Sequence, residues 1–269
     1  MVIARPFEGR ADEADWVALR EVVPAATAPL TVTDPAYADR LVFLTTVLPA
    51  GWPGLVRLDG AIYLALQTPR RSGDLARDLG QVLLGGLEAE PGTTLQPTAV
   101  DPAAPRVQDL IADDAVEVTV LDDFGFWVDS MDDASGGLRS AAESANASIV
   151  PTRRLTSVDA AYWCRIRDRA HLRWAFAVEE DAMLDALARL AAPREISLGE
   201  GTKYIGAFRA SGILIPVWDV PGDMTAEQLE EPAADFAGRI AAALAEPRAL
   251  TPDERRARSG LLSRQLTLA

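Results

Sequence analysis

The sequence is short of the side chains that most often carry out chemistry. Its 269 residues include one cysteine, one histidine and one lysine. The single cysteine, Cys164, excludes an intramolecular disulfide and a cysteine-rich zinc site, and the single histidine, His171, excludes a histidine-rich metal site within one chain. A serine or cysteine nucleophile with a histidine base would have to use His171, and no Gly-x-Ser-x-Gly elbow accompanies it.

Long apolar runs are also missing. No run reaches the roughly 18 apolar residues that a membrane-spanning helix needs, and the first residues lack the apolar core of a signal peptide. Acidic residues outnumber basic ones by 40 to 26, which gives a formal net charge of −14. This charge disfavours nucleic acid and anionic membranes as partners. We therefore expect a soluble cytoplasmic protein with a protein or small-molecule partner and no cofactor.

The sequence does contain a recurring order of elements, in which two short strands and a tight turn precede an amphipathic helix. A hydrophobic fraction of 49% and a charged fraction of 25% are normal for a globular chain. The order predicts hairpins at 55–66, 116–129, 161–178 and 202–220, each followed by a helix. Helices that follow hairpins favour an α+β fold with antiparallel or mixed sheets, in which two similar halves are one arrangement.

One stretch resembles a linker. Residues 90–107 are rich in proline, threonine and alanine and show no periodicity, so we place a linker at 96–110. This choice predicts an N-terminal α+β half at 1–95 and a C-terminal half at 111–269 that ends in a helix. The terminal helix has a strong start signature, with Thr251 as N-cap, Pro252 at its first position and Glu254 three residues after the cap.

Two short motifs suggest phosphate chemistry. Asp123-Phe124-Gly125 matches the triplet that holds magnesium in protein kinases, and "GEGTKYIG" (199–206) resembles a phosphate loop. A kinase places its glycine loop, its strand lysine and a His-Arg-Asp before the triplet, whereas Lys203 and His171 both follow it. The order excludes a kinase, and "DDFG" is interpreted as a hairpin turn.

The glycine-rich segment keeps a second interpretation. It lacks the spacing of a phosphate loop, and its glycines precede a strand instead of opening a helix. Glycine amides and one lysine can still hold an anion, so Gly199, Gly201 and Lys203 are candidate binding residues. The alternative is a flexible loop that enters a strand.

Carboxylates cluster around the kinase-like triplet. Asp122 and Asp123 could hold magnesium or calcium through oxygen ligands. Three further aspartates follow them: Asp129, Asp132 and Asp133. The set does not match the spacing of a calcium loop, and acidic turns of an acidic protein are usually solvated. A metal site here is the weaker interpretation.

An arginine–aromatic cluster surrounds the third hairpin. Its members are Trp163, Arg165, Arg167, Arg169, Arg173 and Trp174. Alternation places Trp163, Arg165 and Arg167 on one strand face, and Cys164 on the opposite face as a buried small hydrophobe. Arginine and aromatic faces together can bind phosphates, bases or an acidic partner. The alternative is an exposed face that pairs with nearby carboxylates.

Several long phrases carry a family resemblance. They include "VALREVVPAATAPL", "AAYWCRIRDRAHLRWAF" and "SLGEGTKYIGAFRASGILIPVWD". With them, the chain resembles an uncharacterised domain-of-unknown-function family of high-GC Gram-positive (actinobacterial) bacteria, from "RPFEG" (5–9) almost to its end. The resemblance implies a cytoplasmic bacterial protein and brings no activity or catalytic residues.

Two functions are left open. The favoured hypothesis is a binding or regulatory module that uses a sheet face or a groove between halves, with the arginine–aromatic cluster and the glycine-rich loop as candidate binding residues. The alternative is a metal- or phosphate-dependent enzyme that combines Asp122 and Asp123 with that loop. The scarcity of nucleophiles and bases favours binding.

Overall fold

The fold is α+β, as the order of hairpins and helices predicts. A computed structural model describes residues 2–68, 72–96, 101–128 and 136–263. These ranges contain six α-helices and two sheets, one of six strands and one of five. The chain divides into two units, residues 1–149 and residues 150–269.

The first unit contains a mixed sheet. Its elements are α1 (Glu13–Glu21), β1 (Ala26–Leu30), β2 (Val42–Thr45), β3 (Gly54–Val56), β4 (Ile62–Ala65), α2 (Leu75–Glu88), β5 (Thr94–Leu95), β6 (Thr119–Val120) and α3 (Gly137–Asn146). The strand order is β5-β3-β4-β2-β1-β6, and β2 pairs with β4 in parallel while the other pairs are antiparallel. The predicted hairpin around Asp59-Gly60 is confirmed: Val56 lies opposite Ile62, and Gly60 has a φ of 86°.

Helix α2 follows this hairpin, as predicted, and buries an apolar stripe that includes Leu75, Leu79 and Leu83. Two of its three glycines lie in different surroundings. A Cβ atom on Gly80 would lie 2.3 Å from the carbonyl oxygen of Pro105, whereas a Cβ atom on Gly85 would meet no atom within 4 Å. Gly80 therefore lets the following segment lie directly against the helix backbone.

The residues after the expected linker return to the first sheet. Strand β6 pairs with β1, and Val32 forms an isolated bridge with Ile111. The side chain of Asp12 accepts a hydrogen bond from the Val116 amide at 3.1 Å. The observed division after Ile149 therefore differs from the expected linker at 96–110, because these pairings hold residues 111–120 to the N-terminal strands.

The hairpin predicted at 116–129 is not formed within the described residues. "DDFG" leads instead into a short 3-10 helix, Gly125–Trp127. Phe124 and Trp127 stack at 4.4 Å between ring centroids, and both are buried against the mixed sheet. The prediction was wrong because both aromatic side chains enter the core from one turn, where a strand would alternate them.

The second unit is an antiparallel sheet with helices. Its elements are β7 (Thr152–Arg154), β8 (Ala161–Ile166), β9 (Arg169–Trp174), α4 (Glu180–Ala191), β10 (Lys203–Ala210), β11 (Ile213–Val220), α5 (Glu230–Ala245) and α6 (Pro252–Leu262). The strand order is β10-β11-β9-β8-β7. Two strand–strand–helix segments, β8-β9-α4 and β10-β11-α5, were predicted and are confirmed. The start of α6 is confirmed as well, since Thr251 and Glu254 form a reciprocal capping box.

One face of the second sheet packs on its helices. A row of directly opposed residues crosses four strands on this face: Trp163, Leu172, Trp218 and Tyr204. All four belong to the core cluster shared with α4 and α5, and Phe236 of α5 packs edge-on against Trp218 at 5.1 Å. Side chains that alternate with this row point to the opposite face.

Candidate functional site

The structure disperses the arginine–aromatic cluster. Trp163 belongs to the helix-packed core and donates a hydrogen bond from Nε1 to the carbonyl oxygen of Met224 at 3.1 Å. The guanidinium of Arg165 lies over the Trp163 ring at 5.2 Å. Arg167 is exposed in the β8–β9 turn with a φ of 58°, and Arg173 lies on the opposite face of the sheet. Trp163 is therefore a core residue and Arg165 its cover, and the two do not form an open binding face.

The scarce side chains meet in one row on the opposite face. Cys164 lies opposite His171, His171 opposite Asp219, and Asp219 opposite Lys203. Directly opposed residues of antiparallel strands have Cβ atoms about 5 Å apart on the same face. The chain's single cysteine, histidine and lysine are thus aligned across four strands.

The electrostatics of this row do not support a Cys–His nucleophile. Cys164 is 1% exposed, and burial raises the pKa of its thiol, which the charge of Arg173 only partly offsets. Burial lowers the pKa of His171, although Asp219, 3.7 Å from Nε2, opposes the shift. A protonated, inaccessible thiol is a poor nucleophile. The interpretation of Cys164 as a buried small hydrophobe is confirmed.

A short segment connects two groups of predicted site residues. Residues 221–224 lie between the glycine-rich loop and the β8–β9 hairpin. A Cβ atom on Gly201 would lie 2.9 Å from Cγ of Pro221, and one on Gly222 would lie 2.6 Å from the carbonyl oxygen of Asp168. A cavity of about 470 Å³ beside this segment is lined by Glu200 and Asp223, so its charge is unsuited to an anion.

The glycine-rich loop is a tight turn that enters β10, as its position before a strand predicts. The amide of Thr202 donates to the carbonyl oxygen of Gly199 at 3.2 Å, and Gly201 has a φ of 75°. A positive φ at the third residue is the requirement of a type II turn, which glycine meets without strain. The Thr202 hydroxyl accepts from the Leu198 amide at 2.9 Å and so ties both sides of the turn together.

A groove on the other side of this turn is the best candidate site. It has a volume of about 590 Å³ and lies between the α4–β10 connection and α6. We call it the basic groove and define it by its lining residues: Ala191, Arg194, Ile196, Ser197, Thr202, Lys203, Tyr204, Ala257, Gly260 and Leu261. Lys203 is the one sequence-predicted site residue among them. The volume is within the range of small-molecule sites.

Two cations of the basic groove have no partner. Within the described ranges, neither the Arg194 side chain nor the Lys203 side chain has a hydrogen bond or ion pair. Arg248 and Arg258, by contrast, contact carboxylates at 2.6 Å. In a chain of net charge −14, two cations without an ion pair make this groove the candidate site for an anion, with Asp219 as the carboxylate across the strand from Lys203.

Arg194 is held in a conformation that normally selects glycine. The Arg194 amide donates a hydrogen bond to the carbonyl oxygen of Ala191 at 3.1 Å, and the Glu195 amide donates one to the carbonyl oxygen of Leu190 at 2.8 Å. These two bonds form a Schellman motif at the end of α4, and Arg194, with a φ of 69°, occupies its left-handed position. Such strain clusters at functional sites. The sequence analysis did not identify Arg194 as a site residue. The one signal that could have pointed to it is its position in the same connection as the glycine-rich loop.

The walls of the basic groove are fixed by hydrogen bonds. Trp218 donates from Nε1 to the carbonyl oxygen of Ile196 at 2.8 Å, and Arg239 donates to that of Ser197 at 3.0 Å. On the opposite wall, Arg258 of α6 bridges Asp181 and Asp185 of α4 at 2.6 Å each. A wall held in this way needs little reorganisation when a ligand binds.

The predicted metal residues lie in the other unit of the chain from the basic groove. Asp122 and Asp123 belong to the first unit, and Asp123 accepts a hydrogen bond from the Gly125 amide at 2.7 Å. Asp129, Asp132 and Asp133 lie outside the described residues. Among the residues that the structure does describe, no group of three potential metal ligands comes together.

Comparisons with known proteins identify the family of the chain. Within the described ranges, no helix combines the length and apolar character needed to cross a bilayer. Neither the curated proteins nor the solved structures gave a significant match. The model of a family of unknown function (DUF5926) matches residues 6–269. The match extends over both units, and the chain therefore belongs to this family.

Proposed function

We propose that the chain is a cytoplasmic binding module whose second unit holds a small anionic ligand in the basic groove. The observation that carries this proposal is the pair of unpaired cations, Arg194 and Lys203, in a groove of ligand size. Charge-assisted hydrogen bonds from a guanidinium or an ammonium are among the strongest that a protein offers an anion.

The surroundings of these cations support binding over catalysis. The residues that line the groove include three with hydroxyl groups, Ser197, Thr202 and Tyr204, and no cysteine, histidine or carboxylate. The lining therefore has no histidine or carboxylate beside these hydroxyl groups to act as their general base. With two cations and these hydroxyl groups, the groove is suited to hold and orient an anion.

Lys203 makes the proposal directly testable. It is the only lysine of the chain, so reductive ¹³C-methylation places one side-chain NMR reporter in the groove and preserves its positive charge. We expect inorganic phosphate or acetate to shift this signal saturably. Removal of the second cation by Arg194→Ala should weaken binding about tenfold or more.

Arg167→Ala is the matched control, because Arg167 is also an exposed arginine with positive φ but lies in the β8–β9 turn. Its removal should leave anion binding unchanged. No saturable shift with either anion, or a loss on Arg167→Ala but not on Arg194→Ala, would contradict the proposal. The second result would return the site to the arginine–aromatic cluster.

A further inference from the structure

The two walls of the basic groove differ in chemistry. The α4–β10 connection and the start of β10 supply both cations, Arg194 and Lys203, together with the hydroxyl groups of Ser197 and Thr202. Helix α6 supplies Ala257, Gly260 and Leu261, which have no polar side-chain atoms. The charged residues of α6 point elsewhere: Arg258 bridges Asp181 and Asp185. One side of the groove thus suits an anionic group and the other an apolar one.

The apolar side has room for a ligand. A Cβ atom on Gly260 would meet no atom within 4 Å, so open space begins directly at the helix backbone. Ile196 of the α4–β10 connection and the aromatic ring of Tyr204 in β10 add apolar surface to the lining. Inorganic phosphate or acetate would occupy the cationic side and leave this apolar surface in water.

We infer that the basic groove selects an amphipathic anion, a small molecule with one anionic group and an apolar chain or ring, whose apolar part packs on α6. This inference rests on the proposed function. Charge complementarity fixes one end of the ligand at Arg194 and Lys203, and burial of apolar surface against Ala257, Gly260 and Leu261 supplies the remaining affinity.

A series of straight-chain carboxylates tests the inference with the ¹³C-methylated Lys203 reporter. Acetate, butanoate, hexanoate and octanoate share one head group and differ only in their methylenes. Each methylene that enters the groove should tighten binding about fourfold, until the chain fills the groove. Equal affinity along the series would overturn the inference and leave anion binding standing. The absence of binding by every member would overturn the proposed function itself.

A matched pair of glycine substitutions locates the apolar part. Gly260→Trp fills the groove from α6, whereas Gly238→Trp places the same side chain on α5, at a glycine whose Cβ would also meet nothing within 4 Å. Gly260→Trp should remove the gain in affinity between acetate and octanoate. Gly238→Trp should preserve the chain-length dependence. A dependence that survives Gly260→Trp would show that the chain binds elsewhere, and the inference would be wrong.

Discussion

The strained backbone at Arg194 predicts that one substitution stabilises the fold and weakens binding. Arg194 has a φ of 69° at the end of α4. A left-handed conformation costs an L-residue about 1–2 kcal/mol, a cost that glycine avoids. Glycine also gives the unfolded chain more freedom, which offsets about 0.4–1 kcal/mol. Arg194→Gly should therefore raise the free energy of unfolding by roughly 0.5–1 kcal/mol.

Arg194→Ala separates the backbone effect from the side-chain effect. Alanine also loses the guanidinium but keeps a Cβ atom in the left-handed region, so its stability should stay within about 0.5 kcal/mol of the original. Both variants should lose anion binding to the same degree. Urea titrations compared at constant m-value measure the stability difference. If Arg194→Gly is no more stable than Arg194→Ala, the strain argument at this position is wrong.

Two further predictions concern the stability of helices α2 and α6. Gly80→Ala should lower the free energy of unfolding by up to about 2 kcal/mol, because a clash with the Pro105 carbonyl outweighs the gain in helix propensity. Gly85→Ala, whose Cβ atom meets no other atom, should raise the free energy of unfolding by up to about 1 kcal/mol. Equal effects of the two substitutions in a urea titration would refute the close packing of the Pro105 segment on α2. The hydrogen bond from Arg248, followed by that from the Thr251 amide, lowers the pKa of Glu254 from 4.5 to about 2. Its folded carboxylate therefore contributes stability above pH 4.5 that is lost as the pH falls towards 2, and Glu254→Gln should reduce this pH dependence of unfolding; an unchanged slope would contradict the assignment.

The elements that local signals specify could be predicted from the sequence. The capping box at Thr251 and Glu254 and the turn at Asp59-Gly60 each depend on residues within a few positions of one another. Hydrogen bonds and turns of this kind depend on neighbouring residues in the sequence and not on tertiary packing. The strand–strand–helix order of the second unit followed from the same short-range patterns.

The face that each strand presents to its helices could not be predicted in the same way. Alternation separated Trp163 from Cys164 correctly, but it was interpreted with the core on the Cys164 face, whereas α4 and α5 cover the Trp163 face and both residues are buried. The basic groove was missed for a related reason. It combines Arg194 and Lys203 with Gly260 and Leu261, which are distant in sequence and meet only when α6 packs on α4. An arginine in a position suited to glycine also gives no signal of its backbone conformation.

The two cross-strand rows of the second sheet, one that contains Trp218 and one that contains Asp219, fix the register of its strands. A slip of β11 by a single residue would carry Asp219 in among the tryptophans and turn Trp218 away from α5. Each error would cost the desolvation of a carboxylate together with the exposure of a large aromatic ring. Asp219 and Trp218, on opposite faces of β11, thus disfavour misaligned pairing of the strands.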